Sequence, residues 1–424
     1  MTADLAADGL AAWHAQVRAA GWCARPVRLS GRTSVADTDT GELTVTLDSA
    51  TQPGGVVLKA CGCRRESVCT TCAAVYRADA WQLVAAGLRG GKGVPESVAE
   101  HPAVFATFTA PSFGPVHTRR SNGGAVQPCH REAGVCQHGT TRACPARHDQ
   151  GDERLGEPIC PSCFDYEGAV LWNATVTELW RRTTIYIFRR LAQACGLTVA
   201  GLRQRVRVSY SKVVEYQRRG VVHVHAVIRL DGGHGGPPPE QVTVEVLTGA
   251  VIAAAGTVAA PVPGGGVAGW GAQIDVQPIG VRVGSGAVAA YVAKYATKST
   301  DAFGRLDHRL TATDVVRLDV RPHLKAMVTA AWELGGCPEL AGLRLRPWAH
   351  TLGFRGHWLT KSRGYSTTFG ALRTARGRWQ ADQHDEPAIE DVAVMKGWRY
   401  AGRGYTTPPD MWPTDTTQRQ EGVA

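Results

Sequence analysis

No stretch of this 424-residue chain approaches the roughly 20 apolar residues that a spanning helix needs, so no transmembrane segment is expected. The first residues include Asp4 and Asp8 and no basic run, which argues against a secretory leader and for a cytoplasmic location. In a reducing compartment the twelve cysteines are not expected to form a disulfide framework. A P-loop is missing as well. The nearest approach, Gly90-Gly-Lys-Gly93, has Ala86 where the upstream glycine belongs and no Ser or Thr after the lysine. That excludes a built-in motor of the P-loop type. No internal repeat is evident, which excludes a solenoid. Lysine is scarce too: the 47 Lys and Arg include only eight lysines, so the basic character of the chain is arginine's.

That basic character is pronounced. The formal net charge is +10 and the pI is about 9.1, which suits a polyanionic partner. Residues 181–220 hold ten Lys/Arg against the single acid Glu215. Residues 341–380 hold eight Lys/Arg and no acid, interleaved with Trp348, Phe354, Trp358, Tyr365, Phe369 and Trp379. Arginine contacts phosphates and aromatic rings stack on unpaired bases, so Arg218, Arg219, Arg355, Lys361 and Arg363 are the expected DNA contacts. A solvated basic face over an aromatic core is the competing account of the same pattern.

Two short strings carry the chemistry. Val221-Val-His-Val-His-Ala-Val-Ile-Arg-Leu230 is β-branched and reads as a buried strand. Side chains alternate with period two, so His223 and His225 share a face and can share a metal ion. Val288-Ala-Ala-Tyr-Val-Ala-Lys-Tyr-Ala-Thr-Lys298 has good helix formers and no Gly or Pro. Spacings of three and four align Tyr291, Lys294, Tyr295 and Lys298 on one helical face. Two imidazoles do not complete a metal site, and Glu215, on the partner strand of a hairpin turning at Arg218-Arg219-Gly220, supplies an oxygen, with Gln217 a nearby alternative. Such an N₂O set suits Mg²⁺ or Mn²⁺. A metal facing phenols backed by ammonium groups is a device for attacking a phosphodiester.

The cysteines cluster. Cys61, Cys63, Cys69 and Cys72 follow C-x-C-x₅-C-x₂-C, and later come Cys129, Cys136, His138 and Cys144, then Cys160-Pro-Ser-Cys163. Thiolates close in sequence and ending in a knuckle match structural zinc sites. The later group offers six ligands, more than one ion uses, so its pairing is open, and ligands exchanged between groups are equally compatible. Cys23, Cys195 and Cys337 stand apart and read as small buried hydrophobes.

A coarse layout follows. A short helix and polar turns occupy residues 1–50, and a helix runs through about 76–88. Strands fall near 103–110, 205–216, 221–230 and 272–282. Helices are expected at about 167–194, within 239–266 and at 322–334, and the last fifteen or so residues look frayed. This mixture suits an α+β fold with a central, mainly antiparallel sheet flanked by helices. Three segments are expected: an N-terminal region 1–100, a central domain 101–300 carrying a Cys-rich insertion at 114–163, and a basic C-terminal region 301–424.

Phe105-Ala-Thr-Phe-Thr-Ala-Pro-Ser-Phe113, the His-x-His strand and the tyrosine helix, in that order, resemble the three motifs of the HUH endonucleases that start rolling-circle replication. The resemblance is closest to replication initiators of actinobacterial plasmids and integrative elements. It runs from Cys-Gly-Cys-Arg-Arg at 61–65 through Leu-Trp-Asn at 171–173, Glu-Leu-Trp-Arg-Arg-Thr at 178–183 and Glu-Tyr-Gln-Arg-Arg-Gly at 215–220 to Trp-Ala-His-Thr-Leu-Gly-Phe at 348–354. It implies a metal-dependent nickase that attacks single-stranded origin DNA with a tyrosine, leaves a 5′-phosphotyrosine and a free 3′-OH, and later rejoins the strand. In single-tyrosine plasmid initiators a glutamate often stands in the place of Tyr291, which points to Tyr295 as the leading nucleophile. Two tyrosines also match initiators of small single-stranded-DNA phages. Duplex origin DNA and host helicase and polymerase are the implied partners, since no motor is present. A relaxase or single-strand transposase of the same chemistry, and a non-catalytic zinc-containing DNA-binding regulator, are the alternatives.

Overall fold

The computed structural model describes residues 7–37, 40–280, 284–298, 306, 308–383 and 392–405. The chain divides into two compact units, one formed by residues 1–76 with 375–424 and the other by 77–374. The sequence boundaries at 100/101 and 300/301 both fall inside the second unit.

The smaller unit holds a sheet in which Val27–Asp37 pairs antiparallel with Val392–Arg403, Leu43–Asp48 and Val57–Lys59. A helix, Ala7–Ala19, contributes Trp13 and Val17 to a small core with Leu58. Here the expected polar turns are strands. Leu43 and Val45 on one strand and Met395 and Tyr400 on another are exposed, so the apolar alternation that marks a half-buried strand is weak. The frayed last residues anticipated from the sequence lie outside the described ones.

The larger unit is built, in chain order, from β1 (Ala103–Phe108), α1 (Tyr166–Ala194), β2 (Val206–Tyr216), β3 (Val222–Gly232), α2 (Val244–Thr257), β4 (Ile274–Pro278), α3 (Ser285–Lys298), α4 (Pro322–Leu334) and β5 (Leu359–Lys361). The five strands form one sheet in the order β4-β1-β3-β2-β5, with every neighbour antiparallel. The fold is a mixed α+β one, as its alternating elements led us to expect. The histidine strand β3 is central.

Alternation divides the sheet into two faces. Val222, Val224, Ala226, Ile228 and Leu230 of β3 and Val104, Ala106 and Phe108 of β1 join a core with Trp172, Leu179, Ile187 and Leu191 of α1. Leu179, Ile187 and Leu191 are fully buried, and each contributes about 1.5–3 kcal/mol. α1 begins where the Asp165 side chain accepts a hydrogen bond from Gly168 N at 2.8 Å. The opposite face carries the odd-numbered residues of β3, histidines 223 and 225 among them.

Asn173 ties the two layers together from a fully buried position. Its Nδ2 donates to Gly220 O and to Leu352 O, both at 3.0 Å, and its Oδ1 accepts from Val222 N at 2.9 Å. One side chain therefore holds the β2–β3 turn against α1. Gly220 closes that turn with φ +75°, a conformation that favours glycine.

Candidate catalytic centre and metal-ligating clusters

The register of β2 on β3 sets Glu215 opposite His223, with His225 two residues further along the same face. β1 and the residue just after it supply a hydroxyl to each ring. Thr107 Oγ1 lies 3.0 Å from His225 Nδ1, and Thr109 Oγ1 lies 3.3 Å from His223 Nδ1. With Nδ1 of each ring so engaged, Nε2 is the nitrogen left to ligate, and His225 Nε2 lies 3.1 Å from Glu215 Oε1. One donor atom from each of Glu215, His223 and His225 falls within 4.8 Å of the others. Burial, and then the neighbouring His225 and Arg219, push His223 down to about 3. The ring is therefore neutral near pH 7, the form that binds metal. Two imidazoles and a carboxylate fit a divalent ion of the Mg²⁺/Mn²⁺ class, Mn²⁺ better than Mg²⁺.

α3 lies over this face. It starts at Ser285, whose Oγ accepts from Arg89 Nε at 2.8 Å, and near its end Thr297 Oγ1 accepts from Arg77 Nε at 3.4 Å. Tyr291 and Tyr295 are a turn apart, with ring centres separated by 4.5 Å. The His225 ring centre is 5.1 Å from Tyr291 and 5.5 Å from Tyr295, so both phenol rings touch the same imidazole. Phe105 of β1 packs on His225 at 5.7 Å and on Tyr291 at 5.4 Å, filling the floor between them. Tyr291 is 37% exposed, which leaves its edge open to solvent. Burial, then Tyr295 and Glu215, raise the Tyr291 phenol above its ordinary value. The exposed Lys294 places its ammonium 5.8 Å from the centre of the Tyr295 ring. Lys298 is the last residue of α3, and its side chain lies outside the described residues.

Three further groups of ligand atoms converge among the described residues. In the smaller unit the four sulfurs are those of Cys23, Cys61, Cys69 and Cys72. Cys23 takes the place anticipated for Cys63, which packs beside the group and donates its backbone N–H to Cys61 Sγ at 3.4 Å. The Cys23–Cys69, Cys61–Cys72 and Cys72–Cys23 sulfur separations are 3.8, 3.6 and 3.6 Å. A disulfide needs about 2.05 Å, whereas ligands at about 2.3 Å from a tetrahedral zinc stand about 3.8 Å apart. In the larger unit His117, Cys129, Cys144 and His148 form one group, and Cys136, His138, Cys160 and Cys163 another. The six ligands expected in this stretch are thus divided two and four between the groups, and His117 and His148 complete the first. These two histidines lie within the Cys-rich stretch, and counting imidazoles there would have found them. Cys23 has no such signal, being 38 residues from the nearest ligand of its group.

The anticipated DNA contacts are placed variously. Arg218 spends its guanidinium on Asp152 O at 3.1 Å and Gln150 O at 2.8 Å. Arg219 donates to Pro111 O at 2.8 Å and Ala110 O at 3.0 Å. Both donate to backbone carbonyls, which are uncharged, so each guanidinium keeps its positive charge, and Arg218 is exposed. Arg355 is exposed and donates to Gly342 O at 2.9 Å, Lys361 is half-buried, and Arg363 is exposed. Among the described residues no helix is long and apolar enough to cross a membrane.

Residues 9–419 match the family model described as "Replication initiator protein, pSAM2". A "Replication initiator protein" of Streptomyces ambofaciens is 42% identical over 423 residues, a match covering 94% of this chain and 88% of that protein. The chain belongs to the pSAM2 replication initiator family. No solved structure matches it. For an initiator of this family the origin DNA is the implied ligand.

Proposed function

We propose that this pSAM2-family initiator is an HUH-type nickase that cuts single-stranded origin DNA by tyrosine attack and later rejoins the displaced strand. The observation carrying this reading is the contact of both Tyr291 and Tyr295 with His225, whose Nε2 faces Glu215 beside His223. A phenol attacks the phosphorus, the bond from phosphorus to the 3′ oxygen breaks, the phenol proton leaves, and the 3′ oxygen takes up a proton. The product is a 5′-phosphotyrosine and a free 3′-OH. No water enters, so the ester is conserved and a later 3′-OH can reverse the step.

His223, His225 and Glu215 would hold a Mg²⁺ or Mn²⁺ ion, which withdraws charge from a non-bridging phosphate oxygen when bound. Thr107 and Thr109 keep the two imidazoles in the ligating orientation. A phenol near pKa ~10 is a poor nucleophile at neutral pH, and an ammonium close by lowers the cost of ionising it. Lys294 supplies that ammonium at Tyr295, which supports Tyr295 as the leading nucleophile; Lys298 would serve on the same face. A tyrosine already esterified cannot attack again, so Tyr291 would take the terminating transfer. The three clusters that include cysteine would hold structural zinc, and host helicase and polymerase would extend the 3′-OH.

Incubating the full chain with each strand of the origin and Mn²⁺, then separating in SDS, tests this. A covalent protein–DNA adduct that His223→Ala and His225→Ala abolish is expected. Binding of origin duplex without an adduct on either strand would leave a DNA-binding regulator instead.

A further inference from the structure

The order of the ligands in residues 117–163 has a consequence of its own. His117 and Cys129 belong to one group, Cys136 and His138 to the other, Cys144 and His148 to the first again, and Cys160 and Cys163 to the second. We propose that this segment is a crossed two-zinc module, in which successive ligand pairs alternate between the two ions, and that it locks the segment gripping the turn of the histidine hairpin.

The donor atoms have the spacing of tetrahedral ligation. Zinc-to-ligand distances of about 2.3 Å for sulfur and 2.0–2.1 Å for nitrogen put ligand atoms about 3.3–3.8 Å apart. In the first group His117 Nδ1 and His148 Nε2 are separated by 3.2 Å, His117 Nδ1 and Cys129 Sγ by 3.8 Å, and Cys144 Sγ and His148 Nε2 by 3.6 Å. In the second, His138 Nδ1 lies 3.2 Å from Cys163 Sγ and 3.9 Å from Cys160 Sγ. An outer partner is already in place. His148 Nδ1 lies 2.6 Å from Asp152 Oδ2, the carboxylate–histidine arrangement that orients a ligating ring, and Arg154 Nη2 donates to that same oxygen at 2.9 Å.

Burial makes the same point independently. Between residues 114 and 163 the buried side chains are Cys129, Cys144, His148, Leu155, Pro158 and Cys160. One leucine and one proline are no core for a segment of that length, and four of the eight ligands, Cys129, Cys144, His148 and Cys160, occupy the places a core would. The backbone supports the crossing. His130 bridges Cys144 and Val135 bridges Thr141, forming a hairpin with ligands of the first group at its base and Cys136 and His138 near its tip.

The grip comes directly after His148. Gln150 O and Asp152 O receive the Arg218 guanidinium, and Leu155 O receives Arg321 Nη1 at 3.2 Å. Arg321 in turn donates to Arg218 O at 3.0 Å and pairs with Glu157 at 3.1 Å. Residues 150–157 therefore clasp the β2–β3 turn from outside, while Asn173 holds it from within. Between module and turn lies a cleft of about 610 Å³ lined by His117, Arg119, Arg218, Arg219 and Thr109, the last being the residue that faces His223.

The test counts zinc by native mass spectrometry of the full chain. Three ions per chain are expected, one for each cluster that includes cysteine. Joint replacement Cys129→Ser and Cys144→Ser removes one of them, and Cys129→Ser with Cys136→Ser removes two. If ligands paired in sequence order, Cys129 and Cys136 would share an ion and the second combination would remove only one, overturning the crossing. Should the variants fail to fold, zinc-edge anomalous diffraction from the unaltered chain decides it. One peak joining Cys129 to Cys144 and a second joining Cys136 to Cys163 are expected, while a peak joining Cys129 to Cys136, or no peak in the segment, refutes the proposal. The inference deepens the structural-zinc reading above, but zinc counts do not depend on nicking. A chain that holds these ions and never cuts DNA would sink the proposed activity and leave the module standing.

Discussion

Thr107→Val probes the catalytic centre with little disturbance elsewhere. Valine keeps the β-branched shape that β1 favours and removes only the hydroxyl 3.0 Å from His225 Nδ1. Phe105 still packs on the ring, so the imidazole stays in place but loses the partner that fixes its tautomer and turns Nε2 toward Glu215. Loss of such an outer partner costs about 10–100-fold in metal affinity, or about 1.4–2.7 kcal/mol. Calorimetric titration of the zinc-loaded chain with Mn²⁺ measures this directly, and nicking followed against Mn²⁺ concentration should shift by the same factor. At saturating Mn²⁺ the nicking rate should recover, because Thr107 touches neither phosphate nor tyrosine in this scheme. Thr107→Ser, which keeps the oxygen, should behave as the parent. Unchanged Mn²⁺ affinity in Thr107→Val would refute the claim that β1 sets the histidines for a metal.

Three other outcomes follow from particular contacts. Glu215→Gln removes the charged member of the ligand set and should raise the Mn²⁺ needed for half-maximal nicking; an identical titration would take Glu215 out of the site. Asn173→Ala strands the Val222 N–H and takes a donor from two buried carbonyls, so urea unfolding should report a loss of about 3–5 kcal/mol, and a change under 1 kcal/mol would contradict the staple role. Burial, opposed by its bond to Arg219 O and aided by Arg321, holds His323 at about 4 against an ordinary value near ~6.5. Between those two values the unfolded chain binds the proton and the native one does not, so stability falls on acidification by up to about 1.4 kcal/mol per pH unit, and His323→Gln should flatten that slope.

How far the chain could be read in advance depended on where its signals were local. The β2–β3 hairpin, the helix from 166 to 194 and the tyrosine helix announce themselves by periodicity within a short window: the first two bury apolar faces in one core, and Val288, Ala289, Val292, Ala293 and Ala296 form the buried side of the third. The sheet of the smaller unit gave no such signal: strand 27–37 pairs with strand 392–403 at the far end of the chain, and exposed Met395 and Tyr400 blur the alternation. The same distinction divides the ligands. Cys69 and Cys72 form a knuckle visible in the sequence, whereas Cys23 reaches its group only through the fold. Thr107 and Thr109 were part of a recognisable string, yet their place beside the imidazoles depends on the register of β1 against β3. That Arg218 and Arg219 also staple backbone was not legible, because carbonyl partners leave no trace in composition.

The central claim is that a tyrosine of α3 becomes joined to origin DNA through a phosphoester. Peptide mapping of the adduct formed with single-stranded origin DNA and Mn²⁺ tests it most directly. The first adduct is expected on Tyr295; Tyr295→Phe should strongly reduce it, and Tyr291→Phe should mainly impair the later rejoining. Adducts found only on Tyr291 with Tyr295→Phe fully active would reverse the assignment, and cleavage that proceeds with both tyrosines replaced by phenylalanine would contradict the account outright.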